Sequence, residues 1–120
     1  MTERQKVEWM YYALDDLIVN AHDYSRDRMS DRIAMLSKGV KRILKEREDK
    51  PGLFIAPIYK ERHDKVVQHL KSCISQMTEA WGWTNRLRNI DSCQCIRTAM
   101  NLLGELITEQ LLYTELLDEE

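Results

Sequence analysis

Glycine and proline are scarce in this chain, with four Gly and two Pro among 120 residues. Sheets need frequent turns, and turns are built largely from these two residues, so their scarcity favours long helices. The apolar residues agree, because over most of the chain they recur at steps of three and four, the spacing of one face of an α-helix. The sequence therefore predicts an all-α fold, an antiparallel helical bundle of four to five helices.

The apolar spacing also divides the chain into segments within a single domain, residues 1–120. One domain suits this length, which is close to the most common domain size. Pro51 ends a helix, since it lacks a backbone N–H and restricts the residue before it. The predicted helical segments are 3–24, 30–48, 58–88 and 91–117, with a connector at 49–57. Apolar residues in and beside the connector are expected to pack on the bundle: Leu53, Phe54, Ile55 and Ile58.

The N-terminal part of the chain is predicted to be one long or bent helix. Thr2 and Gln5 fit a capping box at its start, because each side chain can satisfy an early backbone N–H. A continuous helix over residues 3–48 would be roughly 70 Å long at 1.5 Å per residue, far longer than a globule of this size. We therefore expect a break or bend near Ser25–Ser30, with Ser30 as the N-cap of the second helix.

The last helical segment carries leucines on more than one stripe. They are Leu102, Leu103, Leu106, Leu111, Leu112, Leu116 and Leu117. A helix that is apolar over so much of its circumference lies at the centre of a bundle or meets another subunit. The breadth of this surface, together with the long N-terminal segment, favours a homodimer.

The cysteines and the absence of long apolar runs indicate where such a protein works. There is no apolar run near twenty residues, so we expect no membrane span and a cytoplasmic location. Three cysteines fit free thiols in a reducing compartment. Cys73, Cys93 and Cys95 with His69 have the chemistry of a zinc site. A chain reversal near Asn89 would nevertheless separate Cys73 from the other two by about 18 Å along the helices, so no metal or cofactor is predicted.

Carboxylates at Asp15, Asp16, Glu105 and Glu109 raise the question of catalysis. Di-metal carboxylate bundles use a Glu-x-x-His pair on their helices, and this pair is missing from the sequence. A nucleophile elbow and a glycine-rich phosphate loop are missing too. The sequence therefore predicts a protein that is not an enzyme.

Charge is distributed unevenly along the chain. Residues 26–50 contain nine basic and five acidic residues, whereas residues 98–120 contain six acidic and no basic ones. Four basic residues fall at i, i+3, i+4 and i+7 and so share one helical strip: Lys38, Lys41, Arg42 and Lys45. One interpretation of this basic strip is an ordinary solvated face. A second is a surface that binds phosphate groups or an acidic protein. A third interpretation of the charge pattern is that the acidic C-terminal residues mimic a nucleic acid.

Trp81 and Trp83 form a second candidate for binding. Residues two apart on a helix point about 200° apart, so the two rings cannot face the same core. One interpretation is that one ring is buried and the other lies at an interface, where tryptophan is enriched. The other interpretation is that the aromatic residues serve only to pack the core. Trp9, Tyr11 and Tyr12 repeat this arrangement near the start of the chain.

These features favour a non-enzymatic protein that binds another protein through its helix faces, as a homodimer. A first alternative is a small nucleic-acid-associated regulator that uses the basic strip. A second alternative is a phage-type inhibitor that binds a host complex, since a compact helical chain with polarised charge suits that role.

Overall fold

A computed structural model of the chain describes residues 1–49 and 57–114. The prediction of an all-α fold is confirmed. Within these residues the chain forms four helices, α1 (Glu3–Val19), α2 (Arg26–Asp49), α3 (Pro57–Asn85) and α4 (Asn89–Thr108), and one 3₁₀ turn, Ala21–Asp23, which lies between α1 and α2. The molecule measures 47 × 28 × 21 Å.

The four helices form a bundle in which α1 and α3 lie diagonally opposite each other. Each of these two helices packs against both α2 and α4. The short connections after α1 and after α3 make α1–α2 and α3–α4 antiparallel neighbours. All four helices supply apolar side chains to one core, among them Leu14, Ile33, Leu70 and Leu103, each at most 1% exposed.

The break in the N-terminal half lies at residues 20–25, slightly before the predicted position. The capping box at the start of α1 is present, since Thr2 Oγ1 accepts from the Gln5 backbone N–H at 3.0 Å. Ser25, rather than Ser30, caps α2, because its hydroxyl accepts the backbone N–H of Arg28 at 3.2 Å. Ser30 is instead buried inside α2, where it accepts a hydrogen bond from Asn85 of α3.

The last helix ends earlier than predicted, at Thr108 instead of residue 117. Gln110 adopts a left-handed φ of 56°, which turns the chain back, and the backbone N–H of Leu111 donates to the Leu106 carbonyl at 3.2 Å. Leu112 is then buried. Leu111 and Leu112 continue the apolar spacing past the end of the helix because they still pack on the core, although the chain has already turned back. Leu116 and Leu117 lie outside the described residues.

The predicted connector at 49–57 is shorter than expected at both ends, because Asp49 still belongs to α2 and Pro57 already begins α3. Helix α3 also ends earlier than the predicted residue 88, and α4 begins two residues before the predicted residue 91. The predicted packing of the apolar connector residues concerns Leu53, Phe54, Ile55 and Ile58. These residues, or the side chain in the case of Ile58, lie outside what the structure describes.

The broad apolar surface of α4 is largely covered within one chain. Leu103 and Leu106 are fully buried, and Leu102 is half-buried against the core. Helix α4 packs on α3 on one side and on α1 on the other. The breadth of α4 therefore gives no separate reason for a second copy, and the homodimer stays a prediction.

A buried ion pair joins the start of α1 to the end of α2. Arg47 Nε donates to Glu3 Oε2 at 3.0 Å, and Arg47 Nη2 donates to Glu3 Oε1. The backbone N–H of Tyr113 also donates to Glu3 Oε1, at 3.0 Å, and the Arg47 guanidinium lies 3.7 Å from the centre of the Tyr113 ring. Both charged side chains are at most 2% exposed. The pair therefore fixes the returning segment after α4 to this end of the bundle.

Candidate binding face

The basic strip lies on the outer surface of α2. Ile33, Leu36, Val40 and Ile43 occupy the buried stripe of this helix, and the basic strip lies on the side of the helix away from this stripe. All four members of the strip are exposed: Lys38, Lys41, Arg42 and Lys45. From residue 32 to residue 45 the chain contains five basic residues and no acidic one. The middle of α2 therefore presents positive charge with no carboxylate on the same stretch of helix.

One side of the strip borders a cleft between α2 and α3. Lys38 and Lys41 line this α2–α3 cleft together with Trp81, and its volume is about 200 Å³. Trp81 is 46% exposed. The structure thus brings together part of the basic strip and one of the two predicted tryptophans, which are about forty residues apart in the sequence.

Trp83 lies elsewhere, in the last turn of α3. Its ring is half-buried between two arginines, with the guanidinium carbons of Arg86 and Arg88 at 5.4 and 5.5 Å from the ring centre. Trp83 does not line the α2–α3 cleft that Trp81 borders. The interpretation that one of the two rings is buried is wrong, because neither is. The core of α3 at this end is filled by Ala80 and Thr84 instead.

The other side of the strip borders a groove between α1 and α2, which the sequence did not single out as a site. It contains two cavities, of about 520 and 320 Å³. Trp9 lines both of them and is 56% exposed. Tyr12 and Met35 line the second cavity and are 66% and 54% exposed. We call the two cavities together the α1–α2 groove.

The first, larger cavity reaches down to the backbone of α2 at Gly39. A Cβ atom at this position would lie only 2.6 Å from the terminal methyl of Met10, so any larger residue there would displace the Met10 side chain. Arg42 from the basic strip lines the same cavity. The groove is therefore apolar at its base and positively charged along the edge formed by α2.

Three of the four carboxylates considered for catalysis, Asp16, Glu105 and Glu109, are engaged in surface contacts. Glu105 Oε2 lies 3.0 Å from His69 Nε2, and Glu109 Oε2 lies 2.6 Å from Lys65 Nζ. Both pairs connect α3 to α4. Asp16 accepts hydrogen bonds from Asn20 and Tyr24 beside the break after α1. These groups stabilise neighbouring elements.

The three cysteines lie in separate surroundings. Cys73 is buried beside Met77, with the two sulfur atoms 3.9 Å apart. Cys95 Sγ lies 3.8 Å from Glu79 Oε2, and Cys93 is half-buried close to the 3₁₀ turn. Within residues 1–49 and 57–114, no three Cys, His, Asp or Glu residues are grouped so that they could hold a metal ion.

We expect the thiols to react at different rates. Burial raises the pKa of Cys73 to about 12, so this thiol stays protonated and protected, since only the thiolate is nucleophilic. Burial also raises the pKa values of Cys93 and Cys95, but these two are only partly covered. A chromogenic thiol reagent should modify two thiols in the folded protein and a third only after denaturant is added. Cys73→Ala should remove the slow thiol, and three equal rates would contradict this assignment.

Because of the raised pKa of Cys73, the free energy of unfolding should decrease at alkaline pH. The pKa of Cys73 is higher in the folded state than its ordinary value of 9.0. Its contribution to stability is therefore complete below about pH 9 and is lost as the pH rises toward 12.

Comparison with known proteins gives no family to which the chain can be assigned. No family model, curated protein or solved structure matches it. In the part of the chain that the structure describes, every helix is too short or too polar to cross a bilayer.

Proposed function

We propose that this protein acts by binding a partner protein, without catalysis, through one side of the bundle. This binding face consists of the basic strip, the α1–α2 groove and the α2–α3 cleft. The observation that carries the proposal is the exposure of Trp9, Tyr12 and Met35 around one apolar groove. Aromatic residues and methionine are enriched in protein interfaces, and contiguous exposed apolar surface on a folded domain marks interaction sites.

The groove also explains why a protein partner is favoured over nucleic acid. A basic strip alone suits phosphate groups, and the nucleic-acid alternative uses only that strip. The cavity of about 520 Å³ beside it, with Met10 and Ile43 in its lining, is suited to apolar side chains. A protein partner uses both the charge and the cavities. With three free thiols in the chain, we place this interaction in a reducing compartment such as the cytoplasm.

Reversing the charge of the strip should abolish partner binding without unfolding the protein. In the variant Lys38→Glu, Lys41→Glu, Lys45→Glu, three exposed cations become anions, which removes electrostatic attraction and adds repulsion. We expect affinity for the partner to fall by about a hundredfold or more. Circular dichroism should show unchanged helicity. Binding is measured by retention of the native partner from lysate on immobilised protein.

A matched control separates a local effect from a change in net charge. The variant Lys60→Glu, Arg62→Glu, Arg97→Glu changes net charge equally, at exposed positions outside the binding face. It should retain the partner as well as the wild type does. Nuclease treatment of the lysate should leave binding intact. Loss of binding with nuclease would favour the nucleic-acid alternative, and equal binding by both triple variants would return the strip to an ordinary solvated surface.

A further inference from the structure

We propose that the α1–α2 groove receives an acidic amphipathic α-helix of the partner, which inserts two large apolar side chains seven residues apart, one into each cavity. This inference rests on the proposed function and specifies the occupant of its groove. Two independent features carry it. One is the regular spacing of the two cavities, and the other is the sign of the charge along the groove.

The spacing is set by a seven-residue offset on α2. Arg32, Met35 and Leu36 line the second cavity. Residues seven positions further along, which are Gly39, Arg42 and Ile43, line the first. Seven residues of helix rise about 10.5 Å. The two cavities are therefore successive copies of one packing position along α2.

Helix α1 shows the same offset in the opposite chain direction. Ala13, Asp16 and Leu17 line the second cavity. Residues seven positions earlier, which are Lys6, Trp9 and Met10, line the first. Because α1 and α2 are antiparallel, both offsets lead toward the same end of the groove. On both helices, the residues that line one cavity are therefore displaced by about 10.5 Å from those that line the other. Trp9 lies between the two cavities.

This distance suits a helix and does not suit a strand. On an α-helix, residues i and i+7 are about 10.5 Å apart along the axis and differ in direction by only about 20°, so both can point into one groove. An extended strand covers this distance in about three residues. Side chains three apart on a strand point to opposite faces, so one of them would point away from the groove. Insertion of a helix into a groove is an established mode of protein recognition.

The charge along the groove predicts acidic flanks on that helix. Glu46 in the first cavity already pairs with Lys6, with Nζ and Oε2 2.9 Å apart, and Asp16 in the second accepts hydrogen bonds from its neighbours. Among the described residues, no carboxylate forms an ion pair with Arg42, Lys38 or Lys45. The lining of the groove carries three cations, Lys6, Arg32 and Arg42, and two carboxylates, Glu46 and Asp16. Its net charge is therefore positive, and the exposed basic strip beside it adds further positive charge. Carboxylates on a bound helix complement this surface.

Selection from a library of helical peptides tests this inference without knowledge of the partner. The immobilised wild-type protein is the bait, and clones that also bind Trp9→Glu are discarded. Trp9 is exposed and lines both cavities, so this variant should remain folded. Met35→Glu serves as a second groove variant. Its melting temperature should equal that of the wild type, because Met35 is exposed. We expect enriched peptides to carry a net negative charge and large apolar residues seven apart. They should bind both groove variants about tenfold or more weakly than the wild type.

The outcomes separate this inference from the proposed function. Enriched peptides that need the groove but are basic, are not helical, or have anchors at another spacing would overturn the inference and leave the proposed function standing. Evidence that a second copy of the chain already fills the groove of the wild-type protein would have the same consequence. A selection without enrichment also overturns the inference. Peptides that bind the wild type, the groove variants and the Lys38→Glu, Lys41→Glu, Lys45→Glu variant equally would overturn both.

Discussion

Replacing Leu106 with aspartate should leave the protein unfolded at room temperature. Leu106 is fully buried in α4, between α1 and α3. The change removes a large core side chain, which costs about 2–5 kcal/mol, and buries an unpaired carboxylate, which costs several kcal/mol more. Domains of this size are stable by only about 5–15 kcal/mol. Circular dichroism should show loss of the cooperative thermal transition.

Leu87→Asp is the matched control for this prediction. It introduces the same side chain at a leucine that is 68% exposed. Leu87 has a left-handed φ of 60°, a conformation that aspartate adopts more readily than leucine does. The melting temperature should stay the same or rise slightly. A folded Leu106→Asp variant with an unchanged melting temperature would show that α4 is not part of the core.

Replacing Arg47 with methionine should be the most damaging change at a charged position. The substitution leaves the buried Glu3 carboxylate with the Tyr113 backbone N–H but without its guanidinium partner. Breaking a buried ion pair on one side costs about 3–5 kcal/mol. The urea concentration at the unfolding midpoint should fall accordingly. Release of Tyr113 should also expose the returning segment after α4 to faster hydrogen exchange.

A double variant distinguishes the buried charge from the loss of packing. In Glu3→Gln with Arg47→Met neither charge remains, and the glutamine oxygen can still accept from the Tyr113 N–H. Replacement of a whole buried pair is often close to neutral, so most of the lost stability should return. An Arg47→Met variant within about 1 kcal/mol of the wild type would contradict the role of this pair.

Periodicity was sufficient to predict the helices but not the points where the chain leaves them. The basic strip lies outward on α2, as its spacing predicted. The end of α4 was missed because Leu111 and Leu112 continue the apolar pattern although the chain has already turned back at Gln110. The apolar pattern reports which residues are buried. It does not distinguish a buried helix from a buried segment that runs back along the bundle. Ser25 and Ser30 are chemically equivalent as caps, so sequence alone could not decide between them.

The buried Glu3–Arg47 pair and the α1–α2 groove both depend on contacts between residues that are distant in sequence. Glu3 lies four residues before Val7 and Arg47 four residues after Ile43, on the core lines of their helices. A charged residue on the core line of a helix signals that its charge is paired inside the protein. The sequence could not show, however, that Glu3 and Arg47 pair with each other. Trp9 and Tyr12 lie three apart and off the core line of α1, which signals an exposed aromatic face. The cavities beside them depend on how α1 packs against α2, and one helix alone does not determine this.

Site-specific photo-crosslinking tests most directly whether a protein partner covers the α1–α2 groove. The photoreactive residue p-benzoylphenylalanine replaces Met35 in the groove or, as a control, Tyr59 on α3, since both are 54% exposed. Irradiation in cells that express the protein natively should give one discrete protein adduct from position 35 that resists nuclease. This adduct should be absent from position 59 and should disappear when Lys38→Glu, Lys41→Glu and Lys45→Glu are added. Equal adducts from both positions, or an adduct from position 35 that survives the charge reversal, would contradict binding through this face.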